Sequence, residues 1–323
     1  MAAPRCLVFH VKQIYGEGCA LNPERKGKRG WRVFAFILAA LLLLAGYMVL
    51  EADTVRVEYA DVYLSDLPEA FDGTRILFLS DIHVDNFCPP EKAAALVNEL
   101  GSLKPDLLLL GGDYSALDAL DYARALTGGT SIAQAKEALA AKRDQFFLMI
   151  RSFEAKLGKY AVAGNHDYEL EHLDEAAALG GVKLIRNAGK VLTKDGQKLI
   201  IAGLDDWKAG MQDVGAVAQA VRGGDCVILL SHNPDALPSV IAEPAADGAL
   251  WADLALSGHT HGGQVALFGW SPFSNSIYGR RYMSGWYEDS GALMLVSNGV
   301  GTTGLPLRLG APPRVHVITL NEK

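Results

Sequence analysis

Five short apolar runs, each closing on Asp, Asn or His, constrain this chain more than anything else in it. Arg75-Ile76-Leu77-Phe78-Leu79-Ser80 runs into Asp81-Ile82-His83, and Leu107-Leu108-Leu109-Leu110 runs into Gly111-Gly112-Asp113. Tyr160-Ala161-Val162-Ala163 leads to Gly164-Asn165-His166-Asp167, Val227-Ile228-Leu229-Leu230 to Ser231-His232-Asn233, and Leu254-Ala255-Leu256 to Gly258-His259-Thr260-His261. Runs of this length, closed by glycine or another small residue, predict buried strands of a sheet covered on both faces, since a half-solvated strand alternates polar and apolar side chains. In open α/β sheets ligands bind at the C-terminal strand edge, and all five runs deliver their polar residues there.

Five of the eight histidines, His83, His166, His232, His259 and His261, sit at these strand ends. One histidine beside a strand reads as an ordinary core or surface residue; five, joined by Asp81, Asp113 and Asn165, read as a metal centre. Alternate residues of an extended segment face the same way, so Asp81 and His83 can share an ion, and His259 and His261 can face a common site. Carboxylate, amide oxygen and imidazole together suit Mn, Fe or Zn. No thiolate lies in these motifs, which speaks against a structural zinc site. Ser80 and Ser231 sit outside any Gly-x-Ser-x-Gly elbow and read as small residues at crowded strand ends.

The N-terminus carries the second large feature. Residues 33–50 form an uninterrupted apolar stretch of 18 residues, long enough to cross a bilayer core as a helix. A soluble core helix would show a polar face, and a cleaved signal peptide would be shorter and offer a small-x-small site where this chain has Glu51-Ala52-Asp53. A retained anchor is the expectation. Residues 1–32 carry seven Lys or Arg and two Glu, leaving 23 of the 30 basic and 35 of the 37 acidic side chains to residues 51–323. Basic residues against one end of a span place that end in the cytoplasm. The expected order is a basic cytoplasmic tail (1–32), a transmembrane helix (33–50) and an extracytoplasmic domain (51–323). So acidic a domain is a poor partner for nucleic acid. Cys6 and Cys19 fall in the tail, and Cys88 and Cys226 lack C-x-x-C spacing, so no disulfide is indicated.

Taken in order, D-x-H, G-D, G-N-H-D, a lone His and G-H-x-H over residues ~72–320 resemble the calcineurin-like metallophosphoesterase superfamily. The resemblance implies an α/β fold of two mixed β-sheets packed as a sandwich and flanked by helices. It implies a two-metal centre in which Asp81, His83 and His261 hold one divalent ion, Asn165, His232 and His259 hold the other, and Asp113 bridges both. His166 then stabilises or protonates the leaving oxygen, and Asp167 orients His166. Two such cations clamp a phosphate, lower the pKa of a bridging water for in-line attack, and stabilise the leaving oxygen, so hydrolysis needs no protein nucleophile.

The single span, the extended motif from Gly258 to Gln264 (G-H-T-H-G-G-Q), and the closing Val296-Ser297-Asn298-Gly299-Val300-Gly301 and Leu305-Pro306-Leu307-Arg308 resemble a membrane-anchored bacterial phosphodiesterase branch related to UDP-2,3-diacylglucosamine hydrolases. That likeness implies a phosphodiester or pyrophosphate substrate, small or amphiphilic, lipid-linked or nucleotide-linked. The branch usually continues Pro-Pro-Glu, whereas here Pro312-Pro313 is followed by Arg314.

Two segments are candidates for shaping the substrate site. Fifty residues separate Asp113 from Gly164, more than a crossover needs. Residues 131–157 read largely as helix, with Leu139, Phe146, Phe147, Ile150 and Phe153 on one side and Gly158 as the stop, which leaves 114–130 as either a cap or an extra helix on the core. Residues 268–287 hold seven aromatics, suited to stacking a nucleoside, meeting a lipid headgroup, or packing a hairpin. The reading from another class is a membrane-anchored scaffold that keeps the fold without catalysis; a missing ligand would favour it, and none is missing.

Overall fold

The computed structural model describes residues 23–272 and 275–323. Most of the basic tail, with Cys6 and Cys19, and the aromatic Phe273 lie outside the described residues. Helix α1 (Pro23–Asp53) contains the apolar stretch and runs past both expected ends, because the flanking Arg, Lys, Glu and Ala are good helix formers. Its part Gly30–Asp53 is long and apolar enough to cross a membrane. The chain divides into two compact units, Met1–Ala45 and Gly46–Lys323, so the last turns of α1 belong to the second.

In chain order the strands of that second unit are β1 (Arg56–Leu64), β2 (Arg75–Leu79), β3 (Leu107–Leu110), β4 (Gly158–Ala161), β5 (Lys183–Leu184) and β6 (Ala188–Lys194). They continue as β7 (Gln197–Gly203), β8 (Val227–Leu230), β9 (Leu254–Ser257), β10 (Gly285–Asp289), β11 (Ala292–Val296) and β12 (Arg314–Glu322). The helices after α1 are α2 (Pro90–Leu100), α3 (Ala119–Leu126), α4 (Ile132–Met149), α5 (Leu173–Leu179), α6 (Val214–Ala218) and α7 (Leu237–Ala242).

Two six-stranded sheets form, ordered β1-β12-β2-β3-β4-β5 and β10-β11-β9-β8-β7-β6. Both are mixed. The consecutive runs β2, β3 and β4 pair in parallel, as do β7, β8 and β9, while β12 is antiparallel to β2 and β6 and β10 are antiparallel to their neighbours. Period-two alternation explains why the runs are apolar throughout. Ile76, Phe78, Leu107 and Leu109 face Ile201, Ile228, Leu254 and Leu256 between the sheets, whereas Leu77, Leu79, Leu108 and Leu110 pack outward on Phe146 and Phe147 of α4 and on α2 and α5. On the far side Ala202, Val227, Leu229 and Ala255 pack under α6, α7 and Trp251.

Helix α4 ends eight residues earlier than the 131–157 reading, at Met149, with Ile150 as its cap. Phe153 is still buried in the same cluster, but from the turns that follow, and Gly158, with φ +114°, opens β4 instead of closing a helix. A long side chain on a turn reaches the same core as one on a helix, which is why periodicity overran the end. Of the 114–130 segment, residues 114–118 are buried, and the helix that follows, α3, is capped by Asp118 through a reciprocal capping box with Asp121, packs against α4 and buries none of its residues.

Candidate metal centre

Strands β2, β3 and β4 of the first sheet and β8 and β9 of the second all end at one edge of the sandwich, and the residues after them meet there. Asp81, His83, Asp113, His259 and His261 have φ values of 52°, 48°, 54°, 69° and 52°. This left-handed conformation turns the chain abruptly off each strand, aiming the side chain across the strand ends. Asp and His tolerate it better than most side chains that carry a Cβ. Glycines make the crowding possible. A Cβ at Gly258 would fall 1.9 Å from Ser80 Oγ and 2.2 Å from Asp81 Oδ2, and one at Gly112 would fall 2.5 Å from the Gly164 nitrogen.

Two groups result, Asp81 with His83 and His261, and Asp113 with His232 and His259, each with one ligand-type atom per residue within 4.8 Å of the others. All six side chains are buried. His83 Nε2 lies 3.1 Å from His261 Nε2, and His261 Nε2 lies 3.5 Å from Asp81 Oδ1. Asp113 Oδ2 sits 3.2 Å from His232 Nε2 and 3.6 Å from His83 Nε2, so one carboxylate oxygen faces both groups. Nδ1 of His232 donates to the Gly111 carbonyl at 2.7 Å, which turns Nε2 inward. Asn165 Oδ1 is buried with no hydrogen-bond partner among the described residues. Converging ring nitrogens, an orphaned amide oxygen and buried carboxylates are the donor set that divalent cations satisfy.

The electrostatics agree. Burial holds His83 and His259 at about 3, and His261 well below its ordinary value, so these rings stay neutral as ligands must. Burial also lifts Asp81 to about 6. His232 goes the other way: burial opposes its charge, yet Asp113, Asp81 and Asp206 drive it up to about 10. A field that strong toward a proton is equally a field toward a cation.

Residues 74–263 match the family described as calcineurin-like phosphoesterase. The chain belongs to that family. It is 30% identical to the metallophosphoesterase YkuE of Bacillus subtilis over 296 residues, covering 89% of this chain and 94% of that protein. It is 29% identical to the phosphodiesterase YaeI of Escherichia coli over 257 residues, 76% of this chain and 82% of that one. A transmembrane protein with a metallophosphoesterase domain from Danio rerio is 26% identical over 90% of this chain and 62% of its own length. As a calcineurin-like phosphoesterase the chain is a metal-dependent phosphoester hydrolase, and the two-sheet sandwich is the family's fold.

The structure of this calcineurin-like phosphoesterase redistributes some tasks. His166 stands at the rim, partly exposed, its ring 5.4 Å from that of His83 and its backbone N–H donating to Asp113 Oδ1 at 2.8 Å. The resemblance gives Asp167 the task of orienting His166, but that contact is made by Glu169, whose Oε1 is 2.9 Å from His166 Nδ1. Asp167 is occupied otherwise: its carboxylate accepts the backbone N–H groups of Asp113, Tyr114 and Gly164 at 2.8, 3.0 and 2.8 Å, tying two site loops together. Burial, with Asp113 beside it, raises Asp167 to about 7. An adjacent residue in sequence faces away in a one-turn helix, whereas one three positions on, like Glu169, shares the face.

Three more residues went unassigned by sequence reasoning. Arg308, fully buried, donates to the carbonyls of His261, Asn298, Gly301 and Ala311. Thr303 Oγ1 lies 3.1 Å from His261 Nε2. Asp206, buried after β7, leaves Oδ2 without a hydrogen-bond partner among the described residues. Its signal was present: Ile200-Ile201-Ala202-Gly203-Leu204 running into Asp205-Asp206 repeats the design of the other five strands. Ser80 and Ser231 donate to nearby carbonyls, at 3.2 and 3.1 Å.

Proposed function

We propose that this chain hydrolyses a phosphodiester or pyrophosphate bond in an amphiphilic substrate at a membrane surface, with two divalent cations of the Mn, Fe or Zn type. Asp81, His83 and His261 would hold one cation, Asn165, His232 and His259 the other, and Asp113 both. The observation that carries this reading is the position of Asp113 Oδ2 between His232 Nε2 and His83 Nε2, at 3.2 and 3.6 Å. When bound, such cations polarise the phosphate and supply an activated water.

The chain's own residues do the rest. Asp81 accepts the His259 backbone N–H through both oxygens at 3.0 Å, which locks the two sheets' contributions in register. His166, at the rim with Glu169 behind its ring, would donate a proton to a leaving alkoxide. Buried ligand side chains leave the rim as the approach for substrate.

The membrane part of the reading rests on the apolar helix and on the basic residues before it, which favour an inside tail and an outside catalytic domain. The resemblance of residues 258–264 and of the closing segment to the branch related to UDP-2,3-diacylglucosamine hydrolases supports the substrate class.

The test is a hydrolysis screen. Full-length protein in detergent, stripped of metal and reconstituted separately with Mn, Fe, Zn and Mg, should cleave diesters and UDP-linked glycolipids faster than monoesters. A monoester preference under every metal would overturn the substrate class. For orientation, alkaline phosphatase fused after Lys323 should be active; an inactive fusion beside an active cytoplasmic reporter would reverse the topology.

A further inference from the structure

Most exposed apolar side chains on a soluble surface are scattered, but here several gather on segments tied to one loop, and that loop is tied to the end of the apolar helix. Residues 303–310 form the hub. The Arg308 backbone N–H donates to the Met48 carbonyl at 3.0 Å and the Gly310 N–H to Glu51 Oε2 at 3.1 Å, so the loop is fixed where the apolar run stops.

From the same loop, Leu309 exchanges strand-like bonds with the base of a hairpin, Leu309 N to Gln264 O at 2.9 Å and Ala266 N to Leu309 O at 2.6 Å, and Thr303 N donates to the Gln264 side chain, Oε1, at 2.8 Å. The hairpin closes on itself through Leu267 and Trp270, paired in both directions at 2.8 and 2.9 Å. Its two tip residues, Phe268 and Gly269, have φ of 52° and 77°. The phenyl ring of Phe268 is fully exposed, and Leu267 and Trp270 are more than half exposed. On its other side the hub accepts the first N–H of α3, Ala119 N to Gly304 O at 3.0 Å. Helix α3 is inverted for a soluble helix: Tyr122 and Leu126, one turn apart, point to solvent at 50% and 89% exposure, while Asp121 turns inward to Asn86. Leu305, on the hub itself, is half exposed.

We infer that the Phe268 hairpin, Leu305 and the Tyr122–Leu126 face of α3 form a rim that dips into the bilayer interface and holds the mouth of the metal centre against the lipid surface. Aromatic and leucine side chains of this kind are the ones that settle at headgroup depth. The bilayer is the occupant that chain continuity selects, because the hub is bonded to residues 48 and 51, where the membrane-spanning stretch ends. A cavity of about 270 Å³ lined by His261, Gln264, Val265 and Thr303 lies between hairpin and hub, beside a proposed ligand. A substrate whose phosphate sits at headgroup level reaches that cavity without leaving the membrane. The inference rests on the membrane-anchored reading and deepens it.

The test uses full-length protein in vesicles of phosphatidylethanolamine and phosphatidylglycerol, with plain or brominated acyl chains, reading tryptophan emission. Trp31, in the apolar helix, reports the span. Trp270 should be quenched by roughly half, the depth of an interfacial side chain being about 5–10 Å, and this quenched component should vanish in Trp270→Phe. Independently, Leu126→Trp placed in the Trp270→Phe background should restore a quenched component from α3. If Trp31 is quenched but neither the native Trp270 nor the new tryptophan is, the span is right and the rim inference is overturned, and a protein partner becomes the occupant of that face. If Trp31 is unquenched as well, anchoring and rim both fall.

Discussion

The Arg308 guanidinium lies 3.3 Å from Nδ1 of His261 and donates to the His261 carbonyl at 3.3 Å. Its hydrogen bonds among the described residues go to carbonyl oxygens and the His261 ring, and burial lowers its pKa only to about 10, so it stays charged at neutral pH. Through the carbonyl contact it fixes the backbone of a proposed metal ligand. Lysine keeps the charge but lacks the planar fork that spans several carbonyls. Arg308→Lys should weaken metal binding by about 10–100-fold, the usual cost of losing a supporting contact to a ligand. Metal titration by calorimetry checks this, and unchanged affinity would reduce Arg308 to a packing role.

Asp113→Asn should lower activity more than loss of an outer ligand such as His259→Asn, since both cation groups face the Asp113 carboxylate. The fold should largely survive, because the Asp113 backbone is held by Asp167 and not by its own side chain. Near-normal turnover with two metals bound would remove Asp113 from its bridging place.

His166→Asn should keep both metals and lose about 10²–10⁴-fold in turnover on an alkyl phosphoester, but clearly less on a nitrophenyl ester, whose leaving group needs little protonation. Glu169→Gln should show the same asymmetry in weaker form, since it only orients the ring. Equal losses on both esters would leave His166 with electrostatic stabilisation alone.

Gly258→Ala pushes a methyl group into Ser80 and Asp81, at 1.9 and 2.2 Å, so overpacking should cost about 1–3 kcal/mol and displace a proposed ligand. Gly224→Ala, which meets nothing within 4 Å, serves as the control. Metal content and melting temperature should fall in the first variant and hold in the second.

His316 gives a pH signature away from the metal centre. Burial, with Arg314 nearby, depresses it to about 4, and its Nε2 meets Ser297 Oγ at 3.0 Å. Below pH 6.5 the unfolded chain takes up a proton that the folded ring refuses, so stability is lost as pH falls toward 4. His316→Gln should remove on the order of 2 kcal/mol of the wild-type loss between pH 7 and 5, at about 1.4 kcal/mol per pKa unit. Identical acid sensitivity in both proteins would mean that His316 titrates normally.

The five strand ends were legible because apolar runs and terminal polar residues are local properties of sequence. The strands around them were not. β1 pairs in parallel with β12 across more than 250 residues, Arg56 opposite Arg314, and neither carries the fully apolar signature of a central strand. A separation of more than 40 residues likewise hides Arg308 and Thr303, whose roles exist only once the closing loop returns to His261. The resemblance implies Asp167 behind His166, whereas the contact to the His166 ring is made by Glu169, three positions on, a pairing that no motif spells out. The aromatic segment 268–287 divides as no composition count can tell: Tyr282 is buried under Tyr287 while Phe268 is bare.

The left-handed backbone at Asp81, His83, Asp113, His259 and His261 leaves a mark on how this protein can change. Each such residue carries strain of order 1–3 kcal/mol that the surrounding fold must overrule. Glycine at those five positions would relax the chain and remove five of the proposed metal ligands. Screens that select for heat resistance alone should therefore be drawn to these positions, and variants recovered there would be sturdier proteins without catalysis. Directed evolution of this fold needs a turnover screen beside the thermal one, or it will dismantle the site first.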